Sequence, residues 1–213
     1  MILQQTRRSS TGKEYGDICM EKILDKIMAK LVNEGYVKED DTEIVRYGLE
    51  LTIMKTLVSA IMLIAAILLK CFIAVLIFMA AYQPMRSCCG GYHAKTRITC
   101  LIISMFILAA VIAAVKFIID PARLYVSLAL LFAGATVILL IAPVDTPTKP
   151  FDDVERIVFR RRSILITAAA AAADIILAIF RLYTPMLSIS IAVFITALLL
   201  LTGRASNRKG AEL

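Results

Sequence analysis

The sequence predicts an all-α membrane protein: a polytopic bundle of six transmembrane helices behind an N-terminal amphipathic interfacial helix, with both the N- and C-termini cytoplasmic. Three observations carry that expectation. Sixty per cent of the 213 residues are hydrophobic, the apolar runs come at bilayer length, and the basic residues gather in alternate connections. With a mean hydropathy of +0.80, the chain is far more apolar than a soluble domain of its length needs to be.

Taken in order, residues 1–43 read as a cytoplasmic leader. Within it, 17–33 has the pattern of an amphipathic helix, because Ile23, Leu24, Ile27, Met28, Leu31 and Val32 fall on one side while Lys22, Lys26 and Lys30 flank it. Such a helix either lies on an anionic leaflet with its lysine stems snorkelling toward phosphates or packs on the chain's own cytoplasmic segments. No cleavable signal peptide is expected, since the first long apolar run begins near Leu51, behind a charged segment. The first apolar helix then serves as its own insertion signal.

Residues 44–202 form the membrane domain. The run 44–82 is interrupted only by Arg46, Glu50, Lys55 and Lys70. It is about twice the length of roughly 20 residues that crosses a hydrocarbon core, which predicts a helical hairpin with a tight turn at 68–71. Four further spans are expected at 98–119, 124–142, 163–180 and 186–202, with Pro121 and Arg123, then Arg181 and Pro185, marking short turns. The Ala run at 168–173 is suited to close helix packing. An even number of crossings puts both ends on one side, and the Lys and Arg residues choose which. The leader, the 86–97 loop, the 149–162 loop and a basic tail at 203–213 hold most of them, so these segments are expected in the cytoplasm. The same distribution accounts for the net charge of +7 without invoking nucleic acid. No internal repeat and no matched pair of broken helices favours a secondary transporter.

The five cysteines, Cys19, Cys71, Cys88, Cys89 and Cys100, are odd in number and irregularly spaced, so reduced thiols are expected. Cys100 opens an apolar run a short way after His93, the chain's one histidine. A cysteine that attacks carbonyls works as thiolate and needs a helix N-terminus, a histidine or a cation beside it. Thr96 is suited to N-cap a helix that would hold Cys100 in its first turn, and Arg86, Lys95 and Arg97 add positive charge. Helix geometry sets a condition: on one unbroken helix, His93 and Cys100 would be separated by about 10 Å of axial rise and would not touch. A working pair therefore requires a helix start after His93, with Gly90 and Gly91 in the loop that brings the imidazole back.

The stretch R-S-C-C-G-G-Y-H-A-K-T-R-I-T-C at 86–100 resembles the accessory gene regulator B (AgrB) family, as do R-Y-G-L-E at 46–50 and A-P-V-D-T-P-T-K-P at 142–150. The resemblance extends over nearly the whole chain from about Cys19. It implies a bacterial cell-membrane cysteine endopeptidase, with 44–202 as its catalytic domain, that processes a small amphipathic, AgrD-like quorum-sensing propeptide with an acidic C-terminal tail. By the same resemblance Cys100 is the nucleophile, His93 the base, and Arg86, Gly90 and Gly91 support the site. A homodimer is also implied.

A third residue is not fixed by the pattern. Asp145 and Asp174 are the candidates for orienting His93, although Asp145 in a Pro-rich loop also suits a turn. Asp174 sits mid-span, where an acid costs roughly 2.5 to 3.5 kcal/mol unless it faces protein or water. Arg160, Arg161 and Arg162 are candidates for holding the acidic tail. Cys88, Cys89, His93 and Cys100 would also supply four metal donors, but adjacent cysteines depart from the usual spacing of zinc sites, and no metal or other cofactor is expected. The alternative function is a non-enzymatic transporter or a metal or redox sensor built on that cluster.

Overall fold

The structure, a computed structural model, describes residues 15–37, 42–90, 97–144 and 152–211. These residues form seven helices: α1 (Tyr15–Asn33), α2 (Thr42–Leu68), α3 (Phe72–Cys89), α4 (Arg97–Phe117), α5 (Ala122–Ile141), α6 (Asp153–Ile179) and α7 (Tyr183–Ala211). Six helices, all but α1, are long and apolar enough to cross a bilayer, so the chain is a multi-pass membrane protein. Among the described residues there is no strand, only an isolated parallel bridge between Gly90 and Val144. The chain divides inside α2 into two compact units, Met1–Leu57 and Val58–Leu213.

In the first unit, α1 follows the expected amphipathic pattern. Leu24 and Met28 are buried by protein, Ile27, Leu31 and Val32 are half-buried, and Lys26 and Lys30 are exposed. An ion pair of 2.8 Å joins Arg46 on α2 to Asp25 on α1. Both partners are solvated, so the pair fixes register more than it stabilises.

The second unit is held by α7, which packs against α3, α4, α5 and α6. Met186, Leu187, Ile191, Ala192, Val193, Ala197 and Leu200 are all buried along it. The outward side chains, among them Phe106, Phe132 and Leu165, are exposed, as lipid-facing positions must be.

Tight turns join the helices as the hydropathy pattern predicts. After α2, Cys71 N–H donates to the Ala66 carbonyl and Lys70 N–H to that of Ile67, with Lys70 in the left-handed region at φ 57°. After α6, Leu182 donates to Leu177 and Arg181 to Ala178, with Arg181 at φ 56°. Both are Schellman closures, in which a basic residue takes the left-handed place beside the negative end of the helix dipole. The turn after α4 uses a side chain instead. The Arg123 guanidinium donates to the Val115 and Ile118 carbonyls, to Asp120 and to the Thr184 hydroxyl, tying the α4–α5 turn to the start of α7.

Three boundaries differ from the expectation. α3 runs on through Pro84 to Cys89, so Arg86, Cys88 and Cys89 are helical. Pro84 is exposed, and a ring on the outer face of a helix bends it without ending it. α6 begins at Asp153 and not near 163, because Arg160, Arg161 and Arg162 face outward while Ser163 and Thr167 point in. The charges therefore stay out of the packing between helices. α7 likewise continues to Ala211, through most of the segment expected as a tail.

The close helix approach is also elsewhere than expected. Ala168, Ala169 and Ala172 are exposed, whereas Gly134 on α5 lies so near α7 that an added Cβ would stand 2.9 Å from Phe194 Cα and 3.0 Å from Val193 C. Backbone cannot yield as a side chain can. Gly134→Ala should therefore force α5 from α7 and destabilise the bundle by about 1 to 3 kcal/mol, measured as a lowered Tm in detergent. Gly48→Ala, inside α2 where the methyl meets nothing within 4 Å, should not lower the Tm and should raise it slightly, since Ala is the better helix former.

Candidate active site

The end of α3 and the start of α4 frame the candidate site. α3 stops because Gly90 turns the chain at φ 74° and ψ −141°, a conformation open essentially to glycine alone. Arg86, one turn earlier on α3, donates to the Gly90 carbonyl, and its charge acts on the Tyr82 phenol. The next described residue, Arg97, is already helical. The helix start that the spacing demands, after His93, lies outside the described residues.

Cys100 stands in the first turn of α4 and is exposed. Its carbonyl accepts the Ser104 hydroxyl at 2.9 Å. Across from it, Tyr82 lies close enough for the two groups to interact electrostatically. Tyr82 is half-buried and stacked on Phe78, with ring centroids 5.3 Å apart and planes at 14°. Arg86, Tyr82 and Cys100 thus form one neighbourhood at the end of α3.

The exit from α3 is pinned by a second connection. Val144 N–H donates to the Cys89 carbonyl at 3.1 Å, in the bridge that sets Val144 beside Gly90. A Cβ on Gly90 would fall on the Val144 carbonyl oxygen, so only glycine permits this approach. The residue after Val144 is Asp145. The connection that bears Asp145 therefore leaves from the same point as the one that bears His93. Gly91, His93 and Asp145 themselves lie outside the described residues, as do Thr96 and Lys95.

Asp174 is placed differently. It is fully buried, accepts a hydrogen bond from Ser190 on α7, and lies about 16 Å along α6 from Ser163. Ser163 is the residue whose hydroxyl the Cys89 thiol meets. Asp174 therefore sits at a different depth from the end of α3, in a polar contact between α6 and α7. Arg160, Arg161 and Arg162 are exposed and immediately precede Ser163, which puts them at the depth of Cys89.

Cys71, Cys88, Cys89 and Cys100 are free thiols. Among the described residues no group of three or more His, Cys, Asp or Glu is arranged to hold a metal. Cys89 is buried toward α6 while Cys100 is exposed on α4, an arrangement that does not suit one tetrahedral centre.

Two members of this neighbourhood were not expected from the pattern. Tyr82 was read as the end of a span, although its spacing of four residues from Arg86 is the signal of a shared helix face. Val144 carried no signal, because a backbone bridge between distant segments leaves no periodicity.

A family model of accessory gene regulator B matches residues 24–202, which include every residue of this neighbourhood. Comparisons with curated proteins and with solved structures found no match. The chain therefore belongs to the accessory gene regulator B family, membrane proteins of the agr quorum-sensing system known for propeptide processing.

Proposed function

We propose that this protein is a membrane-embedded cysteine endopeptidase with coupled acyl transfer, acting on an AgrD-like propeptide. The observation that carries the proposal is the placement of Cys100, exposed near the start of the described part of α4 and within electrostatic reach of Tyr82 on α3. In this reading His93 takes the Cys100 proton, and Sγ attacks a peptide carbonyl near the C-terminal tail. The C–N bond then breaks and the departing amine takes the proton back from His93. A Cys or Ser of the substrate then attacks the thioester on Cys100 while His93, neutral again, takes its S–H or O–H proton; the acyl–Sγ bond breaks, giving a thiolactone or lactone and the Cys100 thiolate beside protonated His93. Exchange of one thioester for another is close to isoenergetic, so water must be kept away for the acyl group to be transferred.

The charge distribution favours a site facing the cytoplasm, where a membrane-bound propeptide would arrive, and the family suggests a homodimer. Asp145 is the better candidate for orienting His93, because the Gly90 and Val144 bridge starts both of their connections at one place. Arg160, Arg161 and Arg162, exposed at the depth of Cys89, suit an acidic tail.

Three outcomes test this reading, each with the protein co-expressed with a candidate propeptide and the released tail followed by mass. Cys100→Ala should abolish cleavage and His93→Ala should lower it by roughly 100-fold or more, the scale of a lost acid–base group; intact cleavage in both variants refutes the mechanism. Asp145→Asn should slow cleavage by about 10- to 100-fold at unchanged KM, as expected for a base left without its orienting partner, whereas Asp174→Asn should not share that signature. Replacing Arg160, Arg161 and Arg162 together with Gln should weaken processing several-fold for an acidic tail, each exposed pair being worth roughly 0.2 to 1 kcal/mol. Equal loss for a neutralised tail would refute docking.

A further inference from the structure

Buried hydroxyls in this bundle find partners in two ways. Ser163, Thr167, Ser188 and Thr196 each donate to the carbonyl four residues earlier on their own helix, and Ser190 donates to Asp174. Ser127 on α5 does neither, although it is fully buried. Its hydroxyl and Oδ1 of Asp174 are the two buried side-chain polar atoms left without a hydrogen-bond partner among the described residues.

The helix register brings these two atoms to nearly one level. Arg123 on α5 donates to Thr184 on α7, and further along the same two helices Gly134 lies against Phe194, so α5 and α7 run side by side in one direction. Ser127 follows Arg123 by about 6 Å of helical rise and Ser190 follows Thr184 by about 9 Å, a difference in depth of about 3 Å. Ser127 stands two turns before Gly134 and Ser190 one turn before Phe194, so both serines occupy the faces on which α5 and α7 meet. α6 packs against both helices and brings Asp174 to Ser190.

Asp174 also lacks a counter-charge. Apart from Arg123 no residue of α5 is charged, and none of α7 before Arg204. Arg123 spends its guanidinium on the Val115 and Ile118 carbonyls, Asp120 and Thr184, and Arg181 is exposed at its turn. A carboxylate buried in a bundle without a cation is costly. One monovalent cation neutralises it, whereas a divalent ion would leave an excess buried charge. The carboxylate and the two hydroxyls are hard oxygen ligands, and the close approach of α5 to α7 at Gly134 leaves room for a small ion.

We infer that Asp174, Ser127 and Ser190 form an intramembrane site for a single sodium ion, which joins α5, α6 and α7. Oδ1 of Asp174 supplies the charge, the Oγ atoms of Ser127 and Ser190 give lone pairs to the ion, and the Ser190 proton stays on Oδ2. The three helices must be packed for the ion to bind, so sodium stabilises the folded bundle.

The test uses the full chain in detergent, with binding of radiolabelled sodium and the Tm read in sodium chloride and in choline chloride of equal ionic strength. The unmodified protein should bind one sodium ion per chain and melt roughly 3 to 8 °C higher in sodium chloride. Asp174→Asn keeps the size of the side chain and an oxygen for Ser190 but carries no charge; it should bind no sodium and melt alike in both salts. Ser127→Ala should weaken sodium binding by about 10-fold, the scale of one charge-assisted contact, and it decides the matter if Asp174→Asn does not fold. An unmodified protein that binds no sodium and melts alike in both salts would overturn the inference, because a proton or a water molecule would then satisfy Asp174. Sodium binding retained in Asp174→Asn, or unchanged in Ser127→Ala, would overturn it as well, since the ion would then lie elsewhere.

Discussion

Two backbone segments distant in sequence, at Gly90 and Val144, touch with no side chain between them, and the arrangement of the candidate site depends on that contact. A side chain at position 90 would strike the Val144 carbonyl, and its φ of 74° is unsuited to any residue with a Cβ. The contact ends α3, gives Arg86 a carbonyl to hold, and starts the two connections that carry His93 and Asp145 at one place. Without it, the first turn of α4 would still present Cys100, but nothing would fix what faces it.

The membrane supplies the other half of the design. In hydrocarbon, helix association cannot draw on the hydrophobic effect, so it relies on close packing and on satisfied polar groups. The bundle largely follows that rule through α7: Gly134 lets α5 approach its backbone, Ser190 donates to one oxygen of Asp174 while the other has no partner among the described residues, and Thr167 and Thr196 return their hydroxyls to their own helices. At the opposite end from Gly90, Arg123 gathers the carbonyls of α4 and the start of α7. The site is thereby carried on helix ends whose depths are fixed by a packed centre.

Much of this was legible in the sequence. Apolar runs and the residues between them gave the spans, because length against bilayer thickness is a strong constraint. The spacing of His93 and Cys100 requires a helix start after His93, which lies outside the described residues, while Cys100 itself is on α4. What could not be read was how far helices extend beyond the apolar stretch: Arg160 to Arg162 look like loop by charge, yet they sit on the outer face of α6. The same limit hid Tyr82, which reads as a span terminus until α3 is seen to continue to Cys89. Contacts between distant backbone segments, such as Gly90 with Val144, leave no trace in periodicity or composition.

The central claim is that Cys100 becomes acylated by the propeptide. The most direct measurement uses a propeptide whose internal Cys or Ser is replaced with Ala, so that the acyl group has no onward acceptor, followed by intact mass and peptide mapping of the membrane protein. The account predicts an adduct equal to the propeptide without its tail, attached at Cys100 and released by hydroxylamine. Release of the tail with no adduct, or an adduct on Cys88 or Cys89 with Cys100 unmodified, would contradict it.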